Sequence, residues 1–171
     1  MTARLDPAAL AAHPLPRLPA DGDKEDRGAV LVVGGQAVMA GAALLAGVAA
    51  LRVGAGKLQI RADRRSAPAL AVAVPEAMIV IARSTEVAPL AAAGARASAL
   101  VLGPGMATGG SQRRLARRLL RQAPGAPAVV DAGALPWRHE GRRFASAAAG
   151  RTVLTPHAGE MAALLGRNKE A

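Results

Sequence analysis

An α/β fold with a mostly parallel central sheet, covered by helices on both faces, is the fold class that this sequence predicts. Short apolar runs alternate with helix-forming segments along nearly the whole chain, which is the pattern of strand–helix–strand units. The apolar runs are continuous and do not alternate with polar residues, as is typical of strands that are buried on both faces. The sheet is therefore expected to lie between two layers of helices.

The composition fits one domain with a sizeable core. The chain has 171 residues, of which 51% are hydrophobic, so a folded domain is expected rather than a disordered segment. Aromatic residues make up only 1%, and the core must therefore consist mainly of Ala, Val and Leu. The chain has no Cys, which excludes disulfides and thiolate metal sites.

Residues 1–27 are predicted to form an extended N-terminal segment, because three prolines lie between His13 and Pro19. Residues 28–171 are predicted to form the domain. It begins with a strand at Ala29–Val33.

A tight turn and a helix follow this first strand. Gly34 and Gly35 let the backbone bend without a clash of Cβ atoms. The helix is expected over residues 41–53, and its many small residues predict very close packing on the sheet. Its first turn offers unpaired N–H groups, which favour an anionic or polar ligand.

The remaining elements are predicted from the same two patterns. Further strands are expected over residues 58–60, 78–81, 98–102, 128–130 and 152–154. Helices are expected over residues 63–74 with Asp63 as N-cap, from Ser84 or Thr85 to about residue 93, over 110–122 and over 159–165. Residues 135–149 are expected to be irregular, with one or two helical turns.

Polar residues or glycines follow four of the predicted strands. In a parallel sheet the carboxyl ends of the strands share one edge, and ligands bind beyond that edge. A binding site is therefore predicted where these segments meet. They are Gly34-Gly35, Gly103-Pro104-Gly105, Asp131 and Thr155-Pro156-His157.

The first three of these segments have structural explanations beside the functional ones. Gly34-Gly35, with Gly41 and Ala42, either cradles a polar ligand or allows close packing of strand and helix. The second segment either brings N–H groups near a ligand or forms an ordinary turn. Asp131 either binds a hydroxyl or a metal-bound water, or caps the residues that follow it, and these two roles are compatible.

The fourth segment leads into the last predicted helix. His157 is either a ligand or proton contact or a cap, with Glu160 favoured by the helix dipole in the first turn. The functional interpretation is favoured because the three other segments are predicted at the same edge of the sheet. His13 and His139 lie in irregular segments and are predicted to be surface residues.

The net charge of +10 raises the question of nucleic acid binding. The densest basic group has the spacing of a solvated helix face, with Leu115, Leu119 and Leu120 turned inward. Single-strand binders also need aromatic stacking platforms, so no nucleic acid partner is expected, and the charge instead suits a phosphate-rich ligand. The basic group comprises Arg113, Arg114, Arg117, Arg118 and Arg121.

No membrane partner is expected, because the longest apolar run is about half the length of a membrane span. The N-terminus lacks the pattern of a signal peptide. A cytoplasmic protein is therefore predicted.

Five motifs in order resemble one family, the NAD(P)H-hydrate dehydratases of the ribokinase-like superfamily. The resemblance covers residues 14–166, and each motif is weak alone. It implies a three-layer α/β/α ribokinase-like fold. The motifs are GGQAVMAGAALLAGVAALRVGAG, PEAMIV, VLGPGM, VVDAGAL and VLTPHAGEMAALLG.

The resemblance implies a repair enzyme, a hydro-lyase that acts on the S-epimer of hydrated NADH or NADPH. ADP or ATP, with Mg²⁺, phosphorylates the hydroxyl on the nicotinamide ring. Phosphate then leaves, because it is a far better leaving group than hydroxide, and the cofactor is restored. Such a site needs positioning and charge stabilisation more than covalent chemistry.

The resemblance also implies which residues touch the substrate. Ala42, Gly105 and His157 would contact the hydrated cofactor, with Gly41 and Gly103 beside them. Asp131 and Glu160 would line the same cleft. The family tends to form tetramers, so a homo-oligomer is expected if the domain is complete.

The chain departs from the family pattern at several positions. Met39 stands where an aromatic residue is frequent, Gln36 where Ser is frequent, and the second acid after Asp131 is replaced by Gly133. The family's Lys-containing strand–loop and GTGD-type segment, whose Asp is the expected catalytic base, are absent from these residues. The fold is therefore expected to be incomplete at the C-terminus, with exposed sheet surface that favours aggregation and little or no dehydratase activity.

Two alternatives stay open at this point. Another ribokinase-like kinase, for hydroxyethylthiazole or a pyrimidine precursor, would share the fold but differ in its substrate. A non-catalytic binding remnant would use the His157 cleft without turnover.

Overall fold

The computed structural model describes residues 6–12, 14, 21–83, 86–148 and 150–168. Within these residues, the strands are β1 (Ala29–Val33), β2 (Lys57–Ala62), β3 (Ala77–Ile81), β4 (Ala99–Leu102), β5 (Ala128–Val130) and β6 (Thr152–Leu154). The α-helices are α1 (Pro7–Ala11), α2 (Ala40–Arg52), α3 (Ala67–Ala73), α4 (Ala88–Ala95), α5 (Gly110–Gln122), α6 (Gly141–Ala148) and α7 (Ala158–Leu165). Two 3₁₀ turns lie at Ala132–Ala134 and Arg138–Glu140.

The strands form one sheet in the order β3-β2-β1-β4-β5-β6. Every adjacent pair is parallel, which confirms the predicted parallel sheet. The chain adds β2 and β3 on one side of β1 and then crosses to add β4, β5 and β6 on the other. The strand order thus reverses between β1 and β4, and ligands of open α/β sheets bind at such a reversal.

Helices cover both faces of the sheet, as predicted. On β1, Leu31 and Val33 belong to the core on the side of α4, α5 and α6. Val32 belongs to the core on the side of α2 and α3. The period of two along a strand separates these residues between the two cores.

The core is built mainly from Ala, Val and Leu, and Phe144 is the aromatic residue among its buried members. The predicted close packing of α2 is confirmed at Gly47, where an added Cβ would lie 2.9 Å from a methyl carbon of Leu58. The predicted inward positions Leu115 and Leu119 on α5 are also buried.

The start of α3 differs from the prediction. Asp63 does not cap this helix, because the chain first makes a turn in which its carboxylate accepts a hydrogen bond from the Arg65 N–H at 3.1 Å. The Asp63 carbonyl accepts from the N–H groups of Ser66 and Ala67. The helix therefore begins at Ala67, with Ser66 at the N-cap position.

Residues 141–148 are more regular than predicted. They form the two-turn helix α6, whose buried residues Phe144, Ala147 and Ala148 pack into the core beside α5. The spacing of these three residues is that of one helix face, but short side chains made the signal weak.

The N-terminal segment contains the short helix α1, which Asp6 caps by accepting a hydrogen bond from the Ala9 N–H. His13, most of the proline-rich stretch, and the predicted caps Ser84 and Thr85 lie outside the described residues. In the described part of the chain, no helix is both long and apolar enough to cross a membrane.

Candidate functional site

Two glycine loops meet at the carboxyl edge of the sheet, where the strand order reverses. The Gly35 N–H donates to the Pro104 carbonyl at 2.7 Å, and the Gln36 N–H donates to the Gly105 carbonyl at 3.0 Å. These bonds hold the loop after β1 against the loop after β4. The predicted meeting of the two segments is therefore observed.

Glycine is required at Gly103 by both conformation and space. Its φ of +115° is rare for residues with a side chain, and an added Cβ would overlap the carbonyl oxygen of Asp131. Gly103 thus lets the end of β4 approach the end of β5. This contact brings Asp131 next to the glycine loops.

Three predicted contacts, Ala42, Gly105 and Gly41, lie at this reversal. An added Cβ on Gly105 would lie 2.9 Å from the Ala42 Cβ and 2.6 Å from the Met39 carbonyl. Gly41 is exposed, and nothing lies within 4 Å of where its Cβ would be. Gly105 is therefore enclosed by α2, whereas Gly41 is open to a ligand from solvent.

Asp131 is oriented by the neighbouring strand. Its carboxylate accepts a hydrogen bond from the Thr155 hydroxyl at 2.9 Å. It occupies the N-cap position of the turn Ala132–Ala134, but its side chain makes no capping hydrogen bond, so the predicted capping role is wrong in that respect. Ala132 has a φ of +44°, a strained conformation of the kind that clusters at functional sites.

His157 and Glu160 form a reciprocal cap at the start of α7. His157 Nδ1 accepts from the Gly159 N–H at 3.1 Å and the Glu160 N–H at 3.3 Å. The Glu160 carboxylate accepts from the His157 N–H at 2.9 Å. The capping interpretation is thus confirmed. The capping bonds use only Nδ1, so the predicted role of His157 as a ligand contact remains possible through Nε2.

The other ring nitrogen of His157 remains accessible. Because Nδ1 accepts the capping bonds, the neutral imidazole carries its proton on Nε2. Nε2 lies 3.5 Å from Glu160 Oε1, and the His157 side chain is 73% exposed. The pair can therefore present an N–H donor and a carboxylate acceptor to a ligand.

A cavity of about 300 Å³ lies beside this pair. Its lining includes His157 and Glu160, and also Trp137 and Arg113. Neither Trp137 nor Arg113 was predicted as a site residue. The spacing of the basic group predicted a solvated position for Arg113, which is wrong, because its side chain is only 13% exposed and pairs with Glu140. A lone Trp a few residues after Asp131 is a signal that could have found Trp137. The remaining lining residues are Thr108, Ala132, Gly133, Leu135, Pro136, Gly159, Ala163 and Leu164.

The predicted site residues thus fall into two adjacent groups. Ala42, Gly103 and Gly105 lie at the glycine loops, outside the cavity lining. Residues 131–133 join the groups, since the Asp131 carbonyl contacts Gly103 and Gly133 packs against the carbonyls of residues 106 and 107. The edge is one continuous surface with a cavity at its β5–β6 end.

Arg61, at the end of β2, is a third residue that the sequence analysis missed. Its side chain is buried, and its Nε donates to the Ala82 carbonyl at 2.9 Å. One terminal nitrogen donates to the Gly35 carbonyl at 3.3 Å. Burial lowers the pKa of Arg61, and the charges of Asp63 and Glu86 act in the opposite direction. The buried guanidinium therefore holds the Gly34-Gly35 loop in place through its hydrogen bond to the Gly35 carbonyl.

The chain is similar to known proteins over nearly its whole length. A family model described as NAD(P)H-hydrate dehydratase matches residues 30–170. The ADP-dependent (S)-NAD(P)H-hydrate dehydratase of Xanthomonas campestris is 47% identical over 96% of this chain and 56% of its own length. The bifunctional NAD(P)H-hydrate repair enzyme of Moorella thermoacetica is 37% identical over 95% of this chain and 32% of its own length.

Solved structures agree with this match. The ADP/ATP-dependent NAD(P)H-hydrate dehydratase of Bacillus subtilis, co-crystallized with ATP/Mg²⁺, has a TM-score of 0.72 and 27% identity. The match covers 95% of this chain and 56% of that protein. A ribokinase-like superfamily protein of Enterococcus faecalis, at 24% identity, also has a TM-score of 0.72, with 90% and 54% of the two chains covered. The chain therefore spans about half the length of the Xanthomonas and Bacillus proteins.

Proposed function

The chain belongs to the NAD(P)H-hydrate dehydratase family, and we propose that its carboxyl edge binds hydrated NADH or NADPH, with the S configuration at the hydroxylated carbon. In the whole reaction, the ring hydroxyl takes a phosphoryl group from ADP or ATP. The hydroxyl gives up its proton, and the donor is released as AMP or ADP. The carbon–oxygen bond then breaks, phosphate takes its electron pair, and a neighbouring ring carbon loses a proton to regain the dihydronicotinamide. We assign to this chain the binding and orientation of the hydrated nucleotide.

The observation that carries the proposal is the His157–Glu160 pair at the mouth of the cavity. The Nε2–H group is a donor for the ring hydroxyl oxygen or the carboxamide carbonyl of the substrate. The carboxylate of Glu160 is an acceptor for the hydroxyl or amide N–H groups. A hydroxylated nicotinamide ring offers both kinds of partner, whereas an apolar ligand offers neither.

Asp131 and the glycine loops support the same assignment. Thr155 holds the Asp131 carboxylate by a hydrogen bond, so the acid is oriented before a ligand arrives. The open position of Gly41 lets the ribose or phosphate part of a nucleotide approach the backbone at the start of α2. The net charge of +10 favours an anionic ligand of this type.

The phosphoryl donor and Mg²⁺ are assigned by family only. In the ranges that the structure describes, no three His, Asp or Glu side chains cluster as metal ligands would. Mg²⁺ is usually held by only one or two carboxylates together with waters and substrate phosphates, so no Mg²⁺ ligand is assigned to this chain and no step is routed through the metal here. ADP or ATP remains the expected donor, as the names of the Xanthomonas and Bacillus relatives indicate. A cytoplasmic location and a homo-oligomeric state are part of the same proposal.

Titration of the purified 171-residue chain with hydrated NADPH tests the assignment. We expect saturable heat of binding by calorimetry, and no binding of hydroxyethylthiazole, the substrate of the competing kinase function. The absorbance of the reduced nicotinamide ring is followed in parallel with ADP and Mg²⁺. No recovery of that absorbance is expected, because the GTGD-type segment with the expected base is absent from these residues. Recovery would contradict that expectation and would extend the proposal to the whole reaction. Preference for hydroxyethylthiazole, or the absence of saturable binding of the hydrate, would overturn it.

A further inference from the structure

The positive charge of the molecule is concentrated on the outer faces of two neighbouring helices, α5 and α6. On α5, Arg114, Arg118 and Arg121 are exposed, and on α6, Arg142 and Arg143 are exposed. The two helices pack against each other in the layer on one side of the sheet. The five side chains therefore share one surface, which we call the arginine face.

The helices on the other side of the sheet have a different composition. Helices α5 and α6 contain seven arginines and no Asp or Glu. Helices α2 and α3 contain one charged residue between them, Arg52. A general excess of arginine in the sequence would place basic residues on both layers. The concentration on one layer therefore needs a local explanation.

The arginine face is electrostatically unfavourable for the chain on its own. Arg114 and Arg118 are four residues apart on α5, and like charges at that spacing destabilise a helix. Arg142 and Arg143 lie in the first turn of α6, where the helix dipole disfavours cations. None of the ion pairs that the described residues form involves any of the five arginines. An anionic partner would relieve these repulsions.

The chemistry and spacing of the arginine face fit an acidic helix of another protein. A guanidinium can bind a carboxylate through two parallel N–H···O bonds. Arg114, Arg118 and Arg121 follow the i, i+4, i+7 repeat of one helix face, and a helix with Asp or Glu at the same repeat matches them along its length. Ala145 and Ser146 are also exposed on α6, and their short side chains let a partner approach closely.

A single-stranded nucleic acid fits this surface less well. Such ligands are held by aromatic side chains on which the bases stack. The one aromatic residue of α5 and α6 is Phe144, and it is buried in the core. The arginine face thus offers charge with a helical repeat and no platform for a base.

We propose that the arginine face is a docking surface for a protein that presents an acidic helix. Ion pairs on an exposed surface are individually weak and are screened by salt. The complex therefore forms through several pairs at once and weakens as the salt concentration rises. The inference is independent of the proposed function, because none of the five arginines is assigned to the substrate site.

A fluorescently labelled helical peptide of about 20 residues, with Glu at an i, i+4, i+7 repeat, serves as the probe. Fluorescence anisotropy at low ionic strength is expected to show saturable binding to the 171-residue chain. The triple variant Arg114→Gln, Arg118→Gln, Arg121→Gln should raise the dissociation constant at least about tenfold, because three ion pairs are lost.

The matched control is the triple variant Arg52→Gln, Arg64→Gln, Arg65→Gln. It removes the same charge from exposed positions outside α5 and α6, and it should raise the dissociation constant no more than about twofold, since distant surface charges are screened. A second peptide of the same composition, with its Glu residues spread around the helix, should bind more weakly than the first.

Circular dichroism and thermal melting check that both triple variants fold. Gln is close to Arg in helix propensity, and the α5 substitutions remove repulsion between like charges. The α5 triple variant should therefore melt at or above the temperature of the wild type while it binds the peptide more weakly. A loss of binding through unfolding would instead lower the melting temperature.

Four outcomes overturn the inference. They are no saturable binding of the peptide, equal weakening by the two triple variants, equal affinity for the two peptides, and tighter binding of duplex DNA or of phosphatidylserine vesicles through the same three arginines. Binding that the α5 triple variant loses and the control variant keeps supports it.

Discussion

At the scale of single residues, His157 uses its two ring nitrogens for different purposes. Nδ1 caps α7, and Nε2 faces the exposed side with Glu160. A cap needs only an acceptor, which Ser or Asn also supplies. A donor at the position of Nε2 needs the imidazole itself. Substitutions can therefore separate the two roles.

We expect His157→Ala to lower the free energy of unfolding by about 0.5–2 kcal/mol, because the N–H groups of Gly159 and Glu160 lose their acceptor. His157→Ser keeps a cap and should melt close to the wild type. Both variants should bind hydrated NADPH more weakly, as measured by calorimetry. Wild-type affinity in His157→Ser would show that the residue only caps the helix.

Arg61 acts through the glycine loop rather than on a ligand. Arg61→Met should lower the free energy of unfolding by about 2–3 kcal/mol, because the carbonyls of Ala82 and Gly35 lose a charged donor in a buried place. Arg61→Lys should recover only part of this, since an ammonium cannot reproduce the guanidinium fork. Denaturant unfolding measures the change.

The matched control for Arg61 is Arg64→Met, which removes an exposed charge from the turn that follows β2. It should change stability by less than about 0.5 kcal/mol. Equal effects of the Arg61 and Arg64 substitutions would contradict a bracing role for Arg61.

Motifs at the ends of strands correctly placed Asp131, His157 and the glycines at one edge of the sheet, because parallel strands bring their carboxyl ends together there. Their contacts with a substrate stay a prediction. Arg61 stayed hidden, since an Arg in a strand ordinarily indicates an exposed face, and its acceptors are carbonyls that leave no mark in the sequence. Trp137 and Arg113 are 24 residues apart in sequence, yet the Arg113 guanidinium lies over the Trp137 ring and Glu140 bonds to both residues. Such a contact has no periodic signal.

At the scale of elements, the loops at the carboxyl edge give a direct comparison of two glycines. Gly103→Ala should lower the free energy of unfolding by at least about 2 kcal/mol, because φ is positive and the Cβ meets the Asp131 carbonyl. Gly41→Ala places a methyl group in open space on α2 and should be neutral or stabilising by up to about 1 kcal/mol.

Thermal melting measures both of these glycine variants. Calorimetry with hydrated NADPH then tests Gly41 as a contact, because a methyl group at an open backbone site obstructs a close ligand without disturbing the fold. Unchanged affinity in Gly41→Ala would remove Gly41 from the site.

Helix α5 shows how one face of an Arg-rich helix secures the core. Leu119 is fully buried between α4 and the sheet. Leu119→Ala should lower the free energy of unfolding by about 2–5 kcal/mol through lost burial and a residual cavity. Leu45 on α2 is 71% exposed, and Leu45→Ala should cost less than about 0.5 kcal/mol. Urea unfolding of the two variants should therefore give clearly different midpoints.

Elements with strong local signals were predicted with their observed bounds. These are β1, β5, β6 and α5. Runs of β-branched residues favour strands, and the amphipathic Arg–Leu pattern favours a helix. The predicted start of α3 was wrong. An Asp side chain can accept a hydrogen bond either at a helix N-cap or in a turn, and Asp63 does so in the turn that precedes the helix. Helix α6 was underestimated, since its stability comes from packing of Phe144 against α5 rather than from its own propensity.

At the scale of the whole molecule, the sheet ends in a strand with an exposed apolar side chain. Val153 of β6 is 61% exposed, and among the described strands β6 pairs with β5 alone. Val153→Lys should raise the concentration at which light scattering begins, because a charge on an edge strand opposes pairing with another edge.

The control for the edge is Val53→Lys, at the end of α2, where Val53 is 87% exposed. It removes the same apolar side chain and adds the same charge. Equal effects of both variants would assign the change to net charge and would contradict a role for the β6 edge.

The sheet also divides the chain into two sequence-continuous modules, and this has a consequence for how a ligand acts on the whole protein. Residues 29–81 supply β1, β2 and β3, while residues 99–154 supply β4, β5 and β6. Among the described strands, the modules join along the β1–β4 seam. The bonds from Gly35 and Gln36 to Pro104 and Gly105 cross that seam at the carboxyl end of the strands, where the ligand is proposed to bind. A nucleotide bound there would contact both modules at once, so its binding free energy would oppose their separation.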